Sequence, residues 1–146
     1  RERPHTKSLG DELTADISPD LWAKIAAHDL KRIVINLIEN ARRYGRSPED
    51  QQAHIHLKAY QTGNQIQIEI SDQGPGIAAH EIQRLLRPFS RGEAARTGVS
   101  GAGLGLAIVE RLLRQVGGEL RLLAPQNKKG LCAQIILPRA KATKKL

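Results

Sequence analysis

Apolar residues alternate with polar ones in some stretches of this chain and recur at three and four in others, so period alone separates strands from helices. Leu13, Ala15 and Ile17 alternate with Thr14 and Asp16, which predicts a short strand; Ser18, Pro19 and Asp20 then turn the chain before an extended stretch over 21–25. From Asp29, a good N-cap residue, Leu30, Ile33, Val34, Leu37, Ile38 and Ala41 follow helical spacing until Gly45 stops the pattern. Ile55, Leu57 and Ala59 alternate with His54, His56 and Lys58. Beyond Thr62, Gly63 and Asn64, the residues Ile66, Ile68 and Ile70 alternate with Gln65, Gln67 and Glu69, a hairpin with one wet face. A short helix is expected over 78–86 and a mobile loop over 87–103, rich in Gly, Ser and Arg around an isolated Phe89.

Gly105, Ile108, Val109, Leu112, Leu113 and Val116 share one face of a helix predicted over 104–116, which Gly117 and Gly118 close. Strands over 119–124 and 131–137 make a second hairpin. Hairpins interleaved with helices that can share one face predict an α+β fold. The expected form is a two-layer α/β sandwich whose mixed, mainly antiparallel sheet is covered on one side.

With 146 residues the chain suits one domain and one core. Residues 1–28 form a leading segment and first strands, 29–138 the core, and 139–146 a basic tail. One Trp, two Tyr and one Phe within 40% hydrophobic residues predict an aliphatic core of Ile, Leu and Val. Cys132 is the single cysteine, which excludes an internal disulfide, and its place in an alternating apolar stretch predicts a small buried residue. No apolar run reaches the roughly 18 residues of a membrane span, and the opening RERPHTKS lacks the apolar stretch of a signal peptide. The absence of methionine predicts a piece of a longer polypeptide. A net charge of +8 favours an anionic partner, although four of the cations fall in 139–145, where a frayed, solvated tail is the simpler expectation.

The chemistry lies in three places. Asn36, Asn40 and Arg43 leave one helix face within an arc of about 60°, opposite the apolar stripe. Amide oxygens are hard ligands and arginine forks onto phosphate oxygens, so this face suits hydrated magnesium and its phosphates. The plainer alternative is a set of solvent-exposed helix polars. Tyr44, at the helix end, either offers its ring to a base or caps the core.

Asp72 follows a strand directly, and Gly74, Pro75 and Gly76 turn the chain after it. A carboxylate so held can accept a hydrogen bond from an exocyclic amine while the glycines let a flat ring approach the backbone. The other reading is an acidic residue opening an ordinary turn. Gly74, Gly76 and Ala79 also match a loose dinucleotide fingerprint, but the preceding strand pairs back in a hairpin, and the acidic residue due about 20 positions on falls at Glu93, inside the loop. Gly101, Gly103 and Gly105 precede an apolar helix face, so bare amides and a helix N-terminus can both meet a phosphate chain. A Walker motif is excluded because its lysine is missing. A flexible linker, the remaining alternative, rarely runs straight into Leu104, Leu106, Ala107, Ile108 and Val109.

In this order the segments resemble the catalytic ATP-binding domain of sensor histidine kinases. That domain belongs to the GHKL group, of Bergerat fold, with type II topoisomerase ATPase domains, the Hsp90 chaperone and mismatch-repair ATPases. The resemblance spans 29–138. NLIENARRYG is similar to the family's N box, DQGPGI to its first glycine box, RPFSRGEAAR to its F box and GAGLGLAIVERLLRQVGGEL to its second glycine box, in wording nearest the osmosensor type. It implies ATP and Mg2+ as cofactors, with Asn40, helped by Asn36, on the metal, Arg43 on the phosphates and Tyr44 near adenine. Asp72 would accept from the adenine amino group in a pocket shaped by Gly74, Gly76 and Ile77. The loop with Gly101, Gly103, Leu104, Gly105 and Leu106 would close over the triphosphate. Phe89, Arg91 and Arg96 would belong to a lid, with Arg96 reaching phosphate. Cys132 stands where the family usually has serine or threonine, which implies a weaker or absent water-mediated contact to adenine.

The topoisomerase and chaperone branches carry a water-activating glutamate where this chain has Asn36. An amide cannot take that proton, so the resemblance implies ATP held for transfer: a protein-histidine kinase donating its γ-phosphate to a histidine on a separate dimerisation domain. The implied parent is a homodimeric inner-membrane sensor with this domain in the cytoplasm and a response regulator as partner. The fragment itself is expected to be monomeric, to contact neither membrane nor nucleic acid, and not to phosphorylate itself, because none of His5, His28, His54, His56 and His80 fits the phosphoacceptor pattern. A GHKL ATPase or anti-sigma-type serine kinase is the alternative on the same fold, with Glu39 as the candidate base. A basic nucleic-acid module is the alternative from another class, and it lacks an aromatic platform or a DNA-reading helix pair.

Overall fold

The computed structural model describes residues 10–76, 100–124 and 130–140, the side chains of 100–105 excepted. Its elements are β1 (Glu12–Ile17), α1 (Ala27–Tyr44), β2 (His54–Thr62), β3 (Gln65–Ser71), α2 (Ser100–Gln115), β4 (Glu119–Leu123) and β5 (Cys132–Pro138). The sheet runs β1-β2-β3-β5-β4. Only the β1–β2 pair is parallel, and α1 supplies the long crossover that such a pair requires. This is the expected α+β sandwich with a mixed, mainly antiparallel sheet. β2 and β3 turn through Gly63, whose φ of +61° at the first central position is the sign a two-residue hairpin needs there.

The strand alternation is realised as expected. Ile55 and Ala59 of β2, Ile66, Ile68 and Ile70 of β3, Leu120 and Leu122 of β4, and Ala133, Ile135 and Leu137 of β5 join one core with Ile33, Leu37 and Ala41 of α1 and Leu106, Val109 and Leu113 of α2. Tyr60 of β2 turns the other way and donates to Glu69 Oε2 at 2.6 Å on the polar face. The stretch over 21–25 packs Leu21, Ala23 and Ile25 against the core, and Ala23 bridges to Arg139.

Several boundaries differ from the sequence-based expectation. α1 begins at Ala27 with extended Ala26 as its cap, and Asp29 lies in the first turn, where its charge favours the helix N-terminus without capping it. α2 begins at Ser100, four residues before the predicted start, so Gly101 and Gly103 are helical and not loop. Periodicity is blind there because it is written in side chains, and glycine raises the helix free energy by only about 1 kcal/mol relative to alanine. Ile108, expected on the buried face, is 38% exposed, since Leu106, Val109 and Leu113 hold the centre of that face. The closing hairpin runs Glu119–Leu123 and Cys132–Pro138, one residue off at three of its four ends. Arg139 and Ala140, assigned to a frayed tail, donate their backbone amides to Asn64 and Trp22. The helix expected over 78–86 and most of the 87–103 loop lie outside the described residues.

Candidate functional site

The last turns of α1 lean over the sheet and leave an open cleft of about 550 Å³, counted out to bulk solvent. Ile70, Ala133 and Leu122 lie side by side across β3, β5 and β4, because Ala133 is in register with both others. They form the floor, with small Ala133 between two larger residues. Leu37, Asn40, Ala41 and Tyr44 make the α1 wall, Leu106 of α2 and Leu131 close the sides, and Asp72 with Gly45 and Gly76 stands at the polar end. The size and the mostly apolar lining with a few polar groups are those of a small-molecule site.

Asp72 is the most constrained polar group of the cleft. Its Oδ1 accepts the Gly74 amide at 2.9 Å and the Leu131 amide at 3.2 Å, while its own backbone N–H donates to Leu131 O at 3.0 Å. Burial pushes the carboxyl above its ordinary range even though both amides pull the other way. Among the described residues, none donates to Oδ2.

Glycines pack around this carboxylate because nothing larger fits. A Cβ on Gly45 would stand 2.5 Å from Oδ2, and one on Gly74 would stand 2.5 Å from Gly45 Cα. At Gly130, with φ +103°, a Cβ would collide with the Asp72 carbonyl. The roles of Gly45 and Gly130 were not legible in the chain: the first reads as a helix stop, the second as a turn residue. Their spacing from Asp72 in sequence carries no signal of contact. Likewise Leu37, Ala41, Ile70, Leu122, Leu131 and Ala133 read only as core.

Of the predicted site residues, the fold brings Asn40, Tyr44, Asp72, Gly76 and Leu106 to one cleft, with Gly74 directly behind Asp72. Tyr44 is 45% exposed at the rim, which decides against its capping the core. Asn36 sits one turn before Asn40 and is half-buried, and Arg43 is exposed. The amide face flanks the apolar stripe; it does not oppose it. Asn40 is three residues from buried Leu37, and both line the cleft. Gly101, Gly103, Leu104 and Gly105 belong to the first turns of α2. Ile77, Phe89, Arg91 and Arg96 lie outside the described residues.

Two further residues singled out in the sequence lie off the cleft lining. Glu39 accepts from Arg42 at 3.2 Å and does not line the cleft. Cys132 occupies the β5 position that alternates away from Ala133, paired in register with Ser71, and burial raises its thiol above the ordinary range. It therefore belongs to the polar side of the sheet, still close enough to Asp72 for that charge to act on its thiol.

Asn40 and Asn36 offer neutral hard oxygens one helical turn apart, a donor set that fits magnesium arriving with phosphate oxygens and water and not a closed metal cage. Among the described residues no cluster of three His, Cys, Asp or Glu could hold a metal by itself. Arg42 and Arg46 are both paired with carboxylates, whereas no described carboxylate pairs with Arg43.

A sheet covered on one face, with its ligand cleft between the covering helices and an aspartate at the strand end, defines a nucleotide-binding domain of the ATPase sandwich class. Residues 26–141 match the model of the histidine kinase-, DNA gyrase B-, and HSP90-like ATPase family, and the chain belongs to that family. It is 34% identical over 128 residues to the sensor protein PfeS of Pseudomonas aeruginosa, covering 88% of this chain and 27% of that protein. It therefore spans about a quarter of the length of that relative. Among solved structures it resembles the mycobacterial sensor histidine kinase MprB, with TM-score 0.68 and 29% identity over 88% of this chain and 81% of that one. It also resembles full-length ShkA in complex with AMPPNP, with TM-score 0.73 and 27% identity over 94% of this chain and 27% of that one. No described helix is long and apolar enough to cross a membrane.

Proposed function

We propose that this chain is the ATP-binding catalytic domain of a two-component sensor histidine kinase, holding Mg-ATP in the α1–sheet cleft. The observation that carries the reading is Asp72: Oδ1 is saturated by two backbone amides, and Oδ2 has no described donor. An exocyclic amine supplies the missing donor, and a purine ring lies flat over Ile70, Ala133 and Leu122. Tyr44 covers the outer edge of the base, and Arg43 meets phosphate oxygens. Asn40, with Asn36 a turn away, holds magnesium. When bound, the ion neutralises charge on the phosphate oxygens. The AMPPNP complex of ShkA supports the nucleotide assignment.

Position 36 carries an amide, and Glu39 pairs with Arg42 away from the cleft lining, so the described residues place no glutamate on the cleft beside Asn40. This favours phosphoryl transfer over ATP hydrolysis. The acceptor is a histidine on a dimerisation domain of a homodimeric parent, which passes phosphate to a response regulator. The domain works on the cytoplasmic side of an inner-membrane sensor.

Calorimetric titration with an ATP analogue and magnesium tests this. Asp72→Ala is expected to weaken binding by about 1–3 kcal/mol, the usual range for leaving a buried donor unpaired. Unchanged affinity in that variant, or salt-sensitive DNA binding with no nucleotide binding, would overturn the assignment. Sustained phosphate release from ATP by the isolated chain would favour the ATPase alternative.

A further inference from the structure

Asp11 precedes β1 and is 2% exposed, yet it lines no part of the cleft. Its Oδ1 accepts Arg46 Nη1 at 2.8 Å and the Ala53 amide at 3.0 Å, and its Oδ2 accepts Arg46 Nη2 at 3.2 Å. Arg42 Nε stands 3.5 Å from the same Oδ2, an ion contact longer than a good hydrogen bond. Arg46 also donates to Gln51 O at 2.9 Å, and its backbone bridges to Ala53. One carboxylate thus ties Arg42 in the last turn of α1, Arg46 two residues beyond that helix and Ala53 just before β2.

Between those two arginines lies Gly45. Its peptide is wedged where neither it nor Gly74 has room for a Cβ, with the Asp72 carboxylate on one side and Gly74 on the other. Gly45 has no side chain with which to hold itself there. Its place is set by the Ala41 carbonyl its amide reaches at 2.9 Å and by the arginines anchored before and after it. Resting on the nucleotide reading above, we propose that Asp11 is a positioning residue for the cleft, fixing Gly45 against Asp72 through Arg42 and Arg46. Removal of its charge frees both guanidiniums from their common anchor. An asparagine there would turn an N–H2 donor toward donors, and the Gly45 wall would lose its register against the purine-anchoring carboxylate.

The test is titration of the 146-residue chain with magnesium and a non-hydrolysable ATP analogue, at a temperature where circular dichroism shows each variant folded. Gly45 and Gly74 amide resonances are recorded alongside. Asp11→Asn is expected to lower affinity roughly tenfold, the low end of what losing an outer-shell partner costs a bound group, and to shift both resonances. Leu13→Ala, a partly buried β1 change outside the cluster, should lower the melting temperature while leaving affinity and both resonances unchanged. Should Asp11→Asn fail to fold, Arg46→Lys replaces it, keeping the charge and losing the bidentate fork, with the same direction expected. Wild-type affinity and resonances in a folded Asp11→Asn or Arg46→Lys chain overturn the role, as does an equal loss in Leu13→Ala. A wild-type chain that binds no analogue counts against the nucleotide reading instead, and the two resonances then decide the Asp11 role alone.

Discussion

The fold withdraws two aspartates from water and treats them in opposite ways. Burial alone would raise Asp11, yet the Ala53 amide and the Arg46 and Arg42 guanidiniums hold it below the ordinary carboxylate range. Asp72 has backbone amides on one oxygen and no described cation, so burial wins and its carboxyl is raised. The first carboxylate finds partners for both oxygens within the protein and stabilises the domain. The second has one oxygen with no donor among the described residues, which costs the free protein stability and leaves an acceptor open to a ligand.

The sharpest way to break this contrast is Gly130→Ala. Its φ of +103° disfavours any side chain, and the new Cβ would strike the Asp72 carbonyl while leaving the Asp11 cluster untouched. Backbone strain and overpacking of about 1–3 kcal/mol each together predict a loss of roughly 3 kcal/mol in urea denaturation. A near-neutral result would show that the Asp72 cradle yields easily and that its glycines are not demanded by packing.

Paired asparagine substitutions sharpen the contrast by sign. Asp11→Asn is expected to cost about 2 kcal/mol. That is below the usual 3–5 for breaking a buried ion pair, because the partner guanidiniums are about one-third exposed, at 32% and 35%. Asp72→Asn keeps an acceptor for the Gly74 and Leu131 amides and removes a poorly solvated charge, so stability should rise by under about 1 kcal/mol while nucleotide affinity falls. The acid limbs differ too. Asp11, depressed when folded, contributes stability above its unfolded value of about 3.9 and loses it as pH falls through the folded value. Asp72, raised when folded, contributes below about 3.9 and loses that contribution as pH rises through its folded value. Denaturation midpoints of both variants from pH 3 to 7 check the two signs, and a shared sign would erase the distinction drawn between the aspartates.

Much of the fold was legible because side chains write it: alternation placed β2 and β3, and three-four spacing placed α1 and the body of α2. The first turn of α2 was not legible, since Gly101 and Gly103 have nothing with which to mark a face. Asn40, Tyr44 and Asp72, which the fold brings to the cleft, stand out in the sequence by their chemistry. The residues that shape the pocket were hidden. Gly45 and Gly130 matter for an atom they lack, and Ala133 matters for lying in register with Ile70 and Leu122. Those are facts of strand pairing and close approach. Asp11 was missed for a related reason, being 35 residues from the arginine that defines its role.

A third ionic cluster, nearer the surface, sets the lower end of the scale. His54 places Nε2 at 2.8 Å from Asp50 Oδ2 and Nδ1 at 3.2 Å from Glu12 Oε1, so carboxylates face both ring nitrogens. Its hydrogen bonds to Asp50 and then Glu12 raise the imidazole above its ordinary value, against the opposing pull of burial. A histidine raised on folding contributes stability fully below its unfolded value of about 6.5 and loses it as pH climbs through the folded value. Because Glu12 and Asp50 are nearly half exposed, screening leaves the imidazolium on the order of 0.5 kcal/mol. Between pH 6 and 8 the wild-type denaturation midpoint should therefore drift down slightly, with the drift absent in His54→Gln and reduced at high salt. If the drift survived that substitution, the alkaline loss would belong to another group. The ranking would then rest on the aspartates alone: what a charge contributes here follows from how completely its partners enclose it, most for Asp11 and least for His54.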